Sequence, residues 1–273
     1  MNIQNSALGQ KSAYISEYTP ELLFPIARKI KRDEIGIDEN NLPFYGIDIW
    51  NHYEVSWLNP KGKPMVACAV MYIPATSANI IESKSMKLYF NSFNNHKFAS
   101  KEELVEIITK DLSQAANAQV KVELHELNYA GYAISEPAGE CLDDLDIVIA
   151  DYTVNPQLLT ANPNKQVKEK LYSNLLKSNC LVTFQPDWAP LMIEYQGAQI
   201  DREALLRYII SFRNHNEFHE QCVERIFNDI SKFCAPDELT VMARFTRRGG
   251  LDINPIRASQ PLTSYPNLRL IRQ

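Results

Sequence analysis

The chain has no apolar run near the eighteen or so residues that a membrane span needs, and no basic-then-apolar leader at its N-terminus. Positive charge is not in excess. Lys and Arg number 28 against 33 Asp and Glu, a formal net charge of −5, which removes any general attraction to nucleic acid. There is no Cys-x-x-Cys pair. The five cysteines (Cys68, Cys141, Cys180, Cys222, Cys234) are odd in number and scattered, so reduced thiols in a cytoplasm are expected. G-x-G-x-x-G and the Walker lysine motif are both missing, so a nucleotide cofactor would have to be held outside a Rossmann or P-loop pocket, by charges such as Lys84 and Arg248. Asp143-Asp144-Leu145-Asp146 lacks the glycine and distal glutamate of a calcium loop and reads as a solvated face.

What the chain does have is one segment written twice. Leu88-Tyr89-Phe90-Asn91-Ser92-Phe93-Asn94-Asn95-His96 and Arg207-Tyr208-Ile209-Ile210-Ser211-Phe212-Arg213-Asn214-His215 align without a gap at an offset of 208 − 89 = 119. A repeat of this length indicates a duplicated structural unit. The predicted class is α+β, two tandem units of order strand–strand–helix–helix–strand–strand. Their boundaries are an N-terminal extension over 1–41, a first unit over 42–135, a connector over 136–178 and a second unit over 179–273. Tyr53 to Leu58 and Met65 to Ile73 read as strands around the turn Asn59-Pro60-Lys61-Gly62. Ser100-Lys101-Glu102-Glu103 is a capping box before the helical stripe Leu104, Ile107, Ile108 and Leu112. In the second copy Leu181 to Phe184 and Leu191 to Tyr195 read as strands around Gln185-Pro186-Asp187-Trp188. Helices follow over 202–212 and after Asn216, then a strand over 239–245. Ile147-Val148-Ile149 is strand-like, and Gly249-Gly250 breaks the chain before Leu251.

Differences between the copies point to function. Aligning the hairpins on Pro60/Pro64 and Pro186/Pro190 sets Cys180 against Glu54 and Asp187 against Lys61, so a thiol and a carboxylate occur only in the second copy. Past the repeat, Phe98 against Phe218 sets His219 and Glu220 against Ala99 and Ser100. Glu82-Ser83-Lys84 matches Asp201-Arg202-Glu203, leaving the cation of Lys84 without an equivalent. The expectation is one site built across both copies. A cysteine one tight hairpin from an aspartate suits nucleophilic chemistry, with a buried core thiol as the other meaning. His219 opens a helix, in a hydrogen-bonding role or as a cap. The Glu220 carboxylate presents two acceptors, a match for the adjacent N–H donors of a guanine-like edge. His215, His219 and Cys222 could be imagined around zinc, but no metal site is expected, because His96, the counterpart of His215, has no such company. Arg247-Arg248-Gly249-Gly250 is a basic turn that could also receive a phosphate.

At these residues the sequence resembles the NADPH-dependent 7-cyano-7-deazaguanine reductases, the nitrile reductases of queuosine biosynthesis, in their long two-copy form. The likeness runs from Leu22-Leu23-Phe24-Pro25-Ile26 through Ile81-Glu82-Ser83-Lys84-Ser85-Met86-Lys87 and Cys180 to Asp187. It continues into His215-Asn216-Glu217-Phe218-His219-Glu220 and Arg247-Arg248-Gly249-Gly250-Leu251-Asp252. The resemblance implies the tunnelling fold, a homodimer, and no direct nucleic-acid or membrane partner. It implies Cys180 as the nucleophile that forms a thioimide with the nitrile of 7-cyano-7-deazaguanine and Asp187 as the acid. It implies Ile81, Glu82, Ser83, His219 and Glu220 as substrate contacts, and Ser83, Lys84, Arg248 and Gly249 as NADPH contacts. Two rival readings are a zinc-dependent cyclohydrolase of the related tunnelling-fold group and a non-catalytic purine-binding protein.

Overall fold

The computed structural model describes residues 15–273; positions 1–14 of the expected extension lie outside the described residues. Chain order is β1 (Pro25–Ala27), α1 (Lys29–Glu34), β2 (Tyr45–Leu58), β3 (Pro64–Pro74), β4 (Asn79–Ile81), α2 (Ser83–Asn91), α3 (Lys101–Ala116) and β5 (Lys121–His125). Then come β6 (Glu140–Cys141), β7 (Ala161–Asn179), β8 (Pro186–Ile200), α4 (Arg202–Ser211), α5 (His219–Cys234), β9 (Glu238–Ala243) and β10 (Leu251–Ala258). Eight strands form one sheet in the order β5-β3-β2-β10-β9-β8-β7-β6, antiparallel except for the short β6–β7 pair. The two units therefore share a sheet: β10 pairs with β2 over its whole length, Leu251 opposite His52 and Ala258 opposite Tyr45. Among the described residues, only β1 and β4 stand apart, as a two-stranded ribbon.

Alternation along the strands gives the sheet two different faces. Trp50, Ala69 and Met71 face α2 and α3, while Ile49 and Val70 face the opposite way, under Tyr265, Leu268 and Leu270 of the C-terminal tail. Leu104, Ile108 and Leu112 of α3 are fully buried, each such side chain contributing about 1.5–3 kcal/mol. Half of the capping box closes as expected, the Ser100 hydroxyl accepting from the Glu103 N–H, while the Glu103 carboxylate accepts from the Ala99 N–H instead of that of Ser100. The repeat is carried in detail: Tyr89 donates to Asp111 and Tyr208 to Asp229, each at 2.7 Å.

Several expectations change. The Leu181–Phe184 strand is a turn, with the Cys180 N–H bonded to the Gln185 carbonyl and Phe184 held at φ 56°, while Pro186, Asp187 and Trp188 begin β8. Sequence alone favoured the reverse because the apolar residues sit on the turn and the proline on the strand end. The second unit starts well before 179: β7 runs from Ala161, through the stretch assigned to the connector. Its first half carries exposed, charged side chains, typical of a strand near a sheet edge, so its alternation is hidden until Leu171. Ile147-Val148-Ile149 forms no strand, and Val148 is exposed. Asp143 is no mere solvated carboxylate, since it accepts from Ser173 and Asn174 at the β7 bulge. The first unit follows β5 with a single 3-10 turn at Ala130–Tyr132 instead of a second strand of the main sheet.

The extension and the connector are themselves repeats. Thr19 and Asn155 each precede a Pro-x-Leu 3-10 turn and each donates its N–H to the serine ending the shared helix, Ser92 or Ser211. Pro25 then pairs with Ile81 as Ala161 pairs with Ile200. The hairpin alignment shifts as well. The bulges fall at His52/Val55 and Ser173/Leu176, and Leu58 and Asn179 make the same bridge to the segment after the shared helix. The true offset is 179 − 58 = 121 on the first strand and 186 − 64 = 122 on the second, so Cys180 matches Asn59 instead of Glu54, and Asp187 matches Met65 instead of Lys61. Helices α3 and α5 superpose from their first residues, so His219 matches Lys101 and Glu220 matches the exposed Glu102 instead of Ser100.

Candidate active site

A small cleft opens where four parts of the chain meet. Ile80, Ile81 and Ser83 come from β4 and the start of α2, Cys180 and Asp187 from the β7–β8 turn. Glu217, Phe218, His219 and Glu220 come from the start of α5, and Arg248 and Ile253 from the β9–β10 connection. A second hollow continues it past Ser83, His219 and Arg248 to Lys87, Thr246, Leu251 and Asp252. Both copies contribute walls. A larger cavity of about 470 Å³ lies on the helix-free face, but no cysteine, histidine or aspartate lines it, so the chemistry belongs to the cleft.

Each side chain is placed by a local feature. The turn from Cys180 to Gln185 closes on two backbone bonds, which sets the half-buried thiol at the mouth of a tight loop. Asp187, one step into β8 and opposite Ser178, is 3% exposed. The Arg248 guanidinium bonds to Asp187 through Nη1 and to the Gln185 amide oxygen through Nη2 at 2.6 Å, locking the turn from outside. His219 Nε2 lies 3.3 Å from Asp187 Oδ1, close enough for attraction but not aligned for a hydrogen bond, and its ring packs on Phe245 at 4.0 Å. Burial would push up the Asp187 carboxyl, yet His219 and Arg248 outweigh it and hold the group below its usual range.

Arg248 sits in a reversal whose next two residues, Gly249 and Gly250, take φ 60° and 79°. Left-handed backbone at both central positions suits glycine. At Gly249 an added Cβ would stand 3.0 Å from Lys87 Cδ. Phe218 precedes α5 and offers no side-chain cap, whereas Glu82, Ser100 and Asp201 cap α2, α3 and α4. The free N–H groups of α5 thus start at the cleft wall.

The expected site residues do not all point inward. Ile81, Ser83, Cys180, Asp187, His219, Glu220 and Arg248 line the cleft. Glu82 does not; its carboxylate caps α2, accepting from Lys84 N–H at 2.6 Å and Ser85 N–H at 2.8 Å. Lys84 and Gly249 flank the hollow without lining it. Sequence reading passed over Lys87, one turn after Ser83 on α2. Burial and then Arg248 push its ammonium down, while Glu82, Asp187 and Cys180 pull it up, which places it among the site's charges. The i, i+4 spacing from Ser83 was the available signal. His215 bonds to Glu217 at 3.1 Å, and among the described residues no cluster of three His, Cys, Asp or Glu is arranged to hold a metal. Among them, too, no helix is long and apolar enough to cross a membrane.

Comparison with known proteins agrees across the chain. Residues 14–124 match the family model described as nitrile reductase, 7-cyano-7-deazaguanine-reductase N-term, and residues 186–263 match that of QueF-like protein. The NADPH-dependent 7-cyano-7-deazaguanine reductase of Chromobacterium violaceum is 54% identical over 271 residues, covering 99% of this chain and 97% of that one. Proteins of the same name from Dechloromonas aromatica and Legionella pneumophila are each 55% identical, covering 98% and 100% of this chain and 95% and 96% of theirs. A crystal structure of the archaeosine synthase QueF-Like in the apo form overlaps 36% of this chain and 96% of that one at 17% identity, with a TM-score of 0.31; so small an overlap bears no weight. With full-length identity above half and both halves matched, the chain belongs to the NADPH-dependent 7-cyano-7-deazaguanine reductase family, in its long two-unit form.

Proposed function

We propose that this NADPH-dependent nitrile reductase converts the cyano group of 7-cyano-7-deazaguanine to an aminomethyl group through a thioimide on Cys180. The observation that carries this reading is the pairing of Cys180 with a buried, ionised Asp187 in one cleft reached by both units. A nitrile resists direct hydride attack, and a sulfur adduct divides one hard step into easier ones. The proton leaves Cys180 for Asp187, the sulfur bonds to the nitrile carbon, and the same proton passes from Asp187 to the nitrile nitrogen. Asp187 held ionised by His219 and Arg248 is set to accept first; once protonated it is the donor.

The residues around the hollow suit a dinucleotide phosphate. Lys87 and Arg248 repel one another there, so an anion between them is favoured. Two NADPH molecules, bound in turn, would each supply one of the two hydrides that take thioimide to amine. Ser83, Lys84, Arg248 and Gly249 are the contacts assigned to it, with Lys87 added. Ile81, Ser83, His219 and Glu220 are the substrate contacts; Glu82 acts by fixing the start of α2. The buried position of the cleft keeps an imine from bulk water. A homodimer is part of this reading.

Incubation with the nitrile and no NADPH should leave a mass adduct on the intact protein, and Cys180→Ala should abolish both adduct and turnover. An unlabelled protein, or full turnover without the thiol, would overturn the thioimide route. Stoichiometric zinc whose removal stops activity would instead favour the cyclohydrolase reading.

A further inference from the structure

Beneath the cleft, five charged side chains are sealed from water. Arg28 and Arg32 come from the segment before β2, Asp48 from β2, Glu224 from α5 and Arg257 from β10, and none is more than 1% exposed. Asp48 binds Arg28 at 2.5 Å and Arg257 at 2.8 Å. Glu224 binds Arg32 at 2.7 Å and Arg257 at 2.8 Å, with Arg28 Nη1 3.7 Å away. Arg32 and Arg257 also lie over the Phe44 ring. Three guanidiniums face two carboxylates, so the cluster carries one uncompensated positive charge. A buried net charge is costly unless a counter-charge is at hand. Arg28 Nη1, moreover, is buried with no hydrogen-bond partner.

The missing negative charge is one helical turn away. Glu220 precedes Glu224 by four residues on α5, is 3% exposed, and lines the cleft. Ionised, it would make the group electroneutral, three against three. We propose that Arg28 is a positioning residue for substrate recognition, holding Glu220 as a carboxylate aimed at the paired N–H donors of the bound base. The charged groups that act on Glu220 are Asp48 from β2, His219 on its own helix and Arg28 from the N-terminal segment, with Arg257 from β10 bonded to Asp48 and Glu224 behind them. Burial and then Asp48 push the Glu220 carboxyl up to about 7, against His219 and Arg28. Burial and Asp48 thus favour the neutral acid, and Arg28 with His219 tips the group toward the charged form that a donor–donor edge requires. The segment before β2 is thus a working part of the site and not a peripheral extension.

The inference rests on Glu220 contacting substrate, and the test separates the two. Binding of 7-cyano-7-deazaguanine is measured by calorimetry between pH 6 and 8.5 in Cys180→Ala protein, where no adduct forms. Arg28→Met should weaken binding about fivefold at pH 7 and move the acid limb of binding up by about one pH unit. In a Glu220→Gln background Arg28→Met should change nothing further. Should Arg28→Met fail to fold, Arg28→Lys, which keeps a cation but lacks Nη1, runs the same cycle with about a threefold loss expected. Unchanged affinity and an unmoved limb, or an equal loss in both backgrounds, would overturn the role of Arg28. Unchanged affinity in Glu220→Gln alone would remove the substrate contact itself, and the inference with it.

Discussion

Arg248 shows how one residue can carry two duties. Its guanidinium ties Asp187 to Gln185 across the mouth of the turn, and it faces the hollow assigned to the dinucleotide. The depressed Asp187 carboxyl is ionised above its folded-state value and loses its ability to accept a proton as pH falls through that value. Taking away Arg248 weakens that hold. Arg248→Met should therefore raise the pH midpoint of adduct formation by about one unit, read by mass spectrometry of protein and nitrile without NADPH. A midpoint that stays put would mean His219 alone sets the carboxyl. At this scale the sequence was most legible where chemistry needs a rare residue type. Cys180 and Asp187 stood out because their counterparts lack both groups. Lys87 did not, since one more lysine on an exposed-looking helix face carries no signal until burial is known. Glu82 misled for the opposite reason: a carboxylate at a helix start serves equally as ligand or cap, and here it caps.

Among the elements, the β7–β8 turn is under conformational stress, as are the left-handed helix ends at Asn117 and Ala235. Phe184 is 67% exposed and sits at φ 56°, a region that costs a non-glycine residue about 1–2 kcal/mol. Its ring has little packing to offset that cost. Phe184→Gly should stabilise the protein by about 0.5–1 kcal/mol net of the added chain entropy, seen as a higher urea midpoint with the slope unchanged. A destabilised variant would show that the ring packs in solution. The turn also marks where the sequence reading went wrong. Periodicity identifies apolar runs, but Leu181-Val182-Thr183-Phe184 is apolar and yet a loop, because backbone bonds at Cys180 decide the reversal. By contrast, α4 was legible to within a residue and the starts of α3 and α5 to within about two, since apolar stripes mark all three. The matched 3-10 turns of the extension and connector escaped notice because only their geometry, and little of their sequence, is repeated.

For the whole molecule, the buried charges bind the N-terminal segment, the first unit and the second into one cooperative body. Burial opposes ionisation of Asp48 and Glu224, but the guanidiniums prevail and hold both carboxyls down. Their stabilisation is therefore complete above the ordinary values of 3.8 and 4.5 and disappears as pH falls below them. Glu224→Gln leaves three guanidiniums with too little counter-charge and should cost on the order of 3–5 kcal/mol. Unfolding should remain a single transition by both tryptophan fluorescence and circular dichroism. Two separated transitions would show that the halves fold independently. Two halves were readable from the repeat, but not their fusion into one sheet, which depends on long-range pairing that no local pattern encodes.

That shared sheet has a consequence for synthesis in the cell. The strand that closes onto β2 is the last one made, ending at Ala258 and followed by a tail that covers the free face. Arg248, Ile253 and the sealing partner Arg257 all arrive with it. A chain still emerging from the ribosome carries Cys180, Asp187 and His219 before Arg248 and Arg257 exist to hold them, so the cleft cannot be completed until β10 has joined the two units.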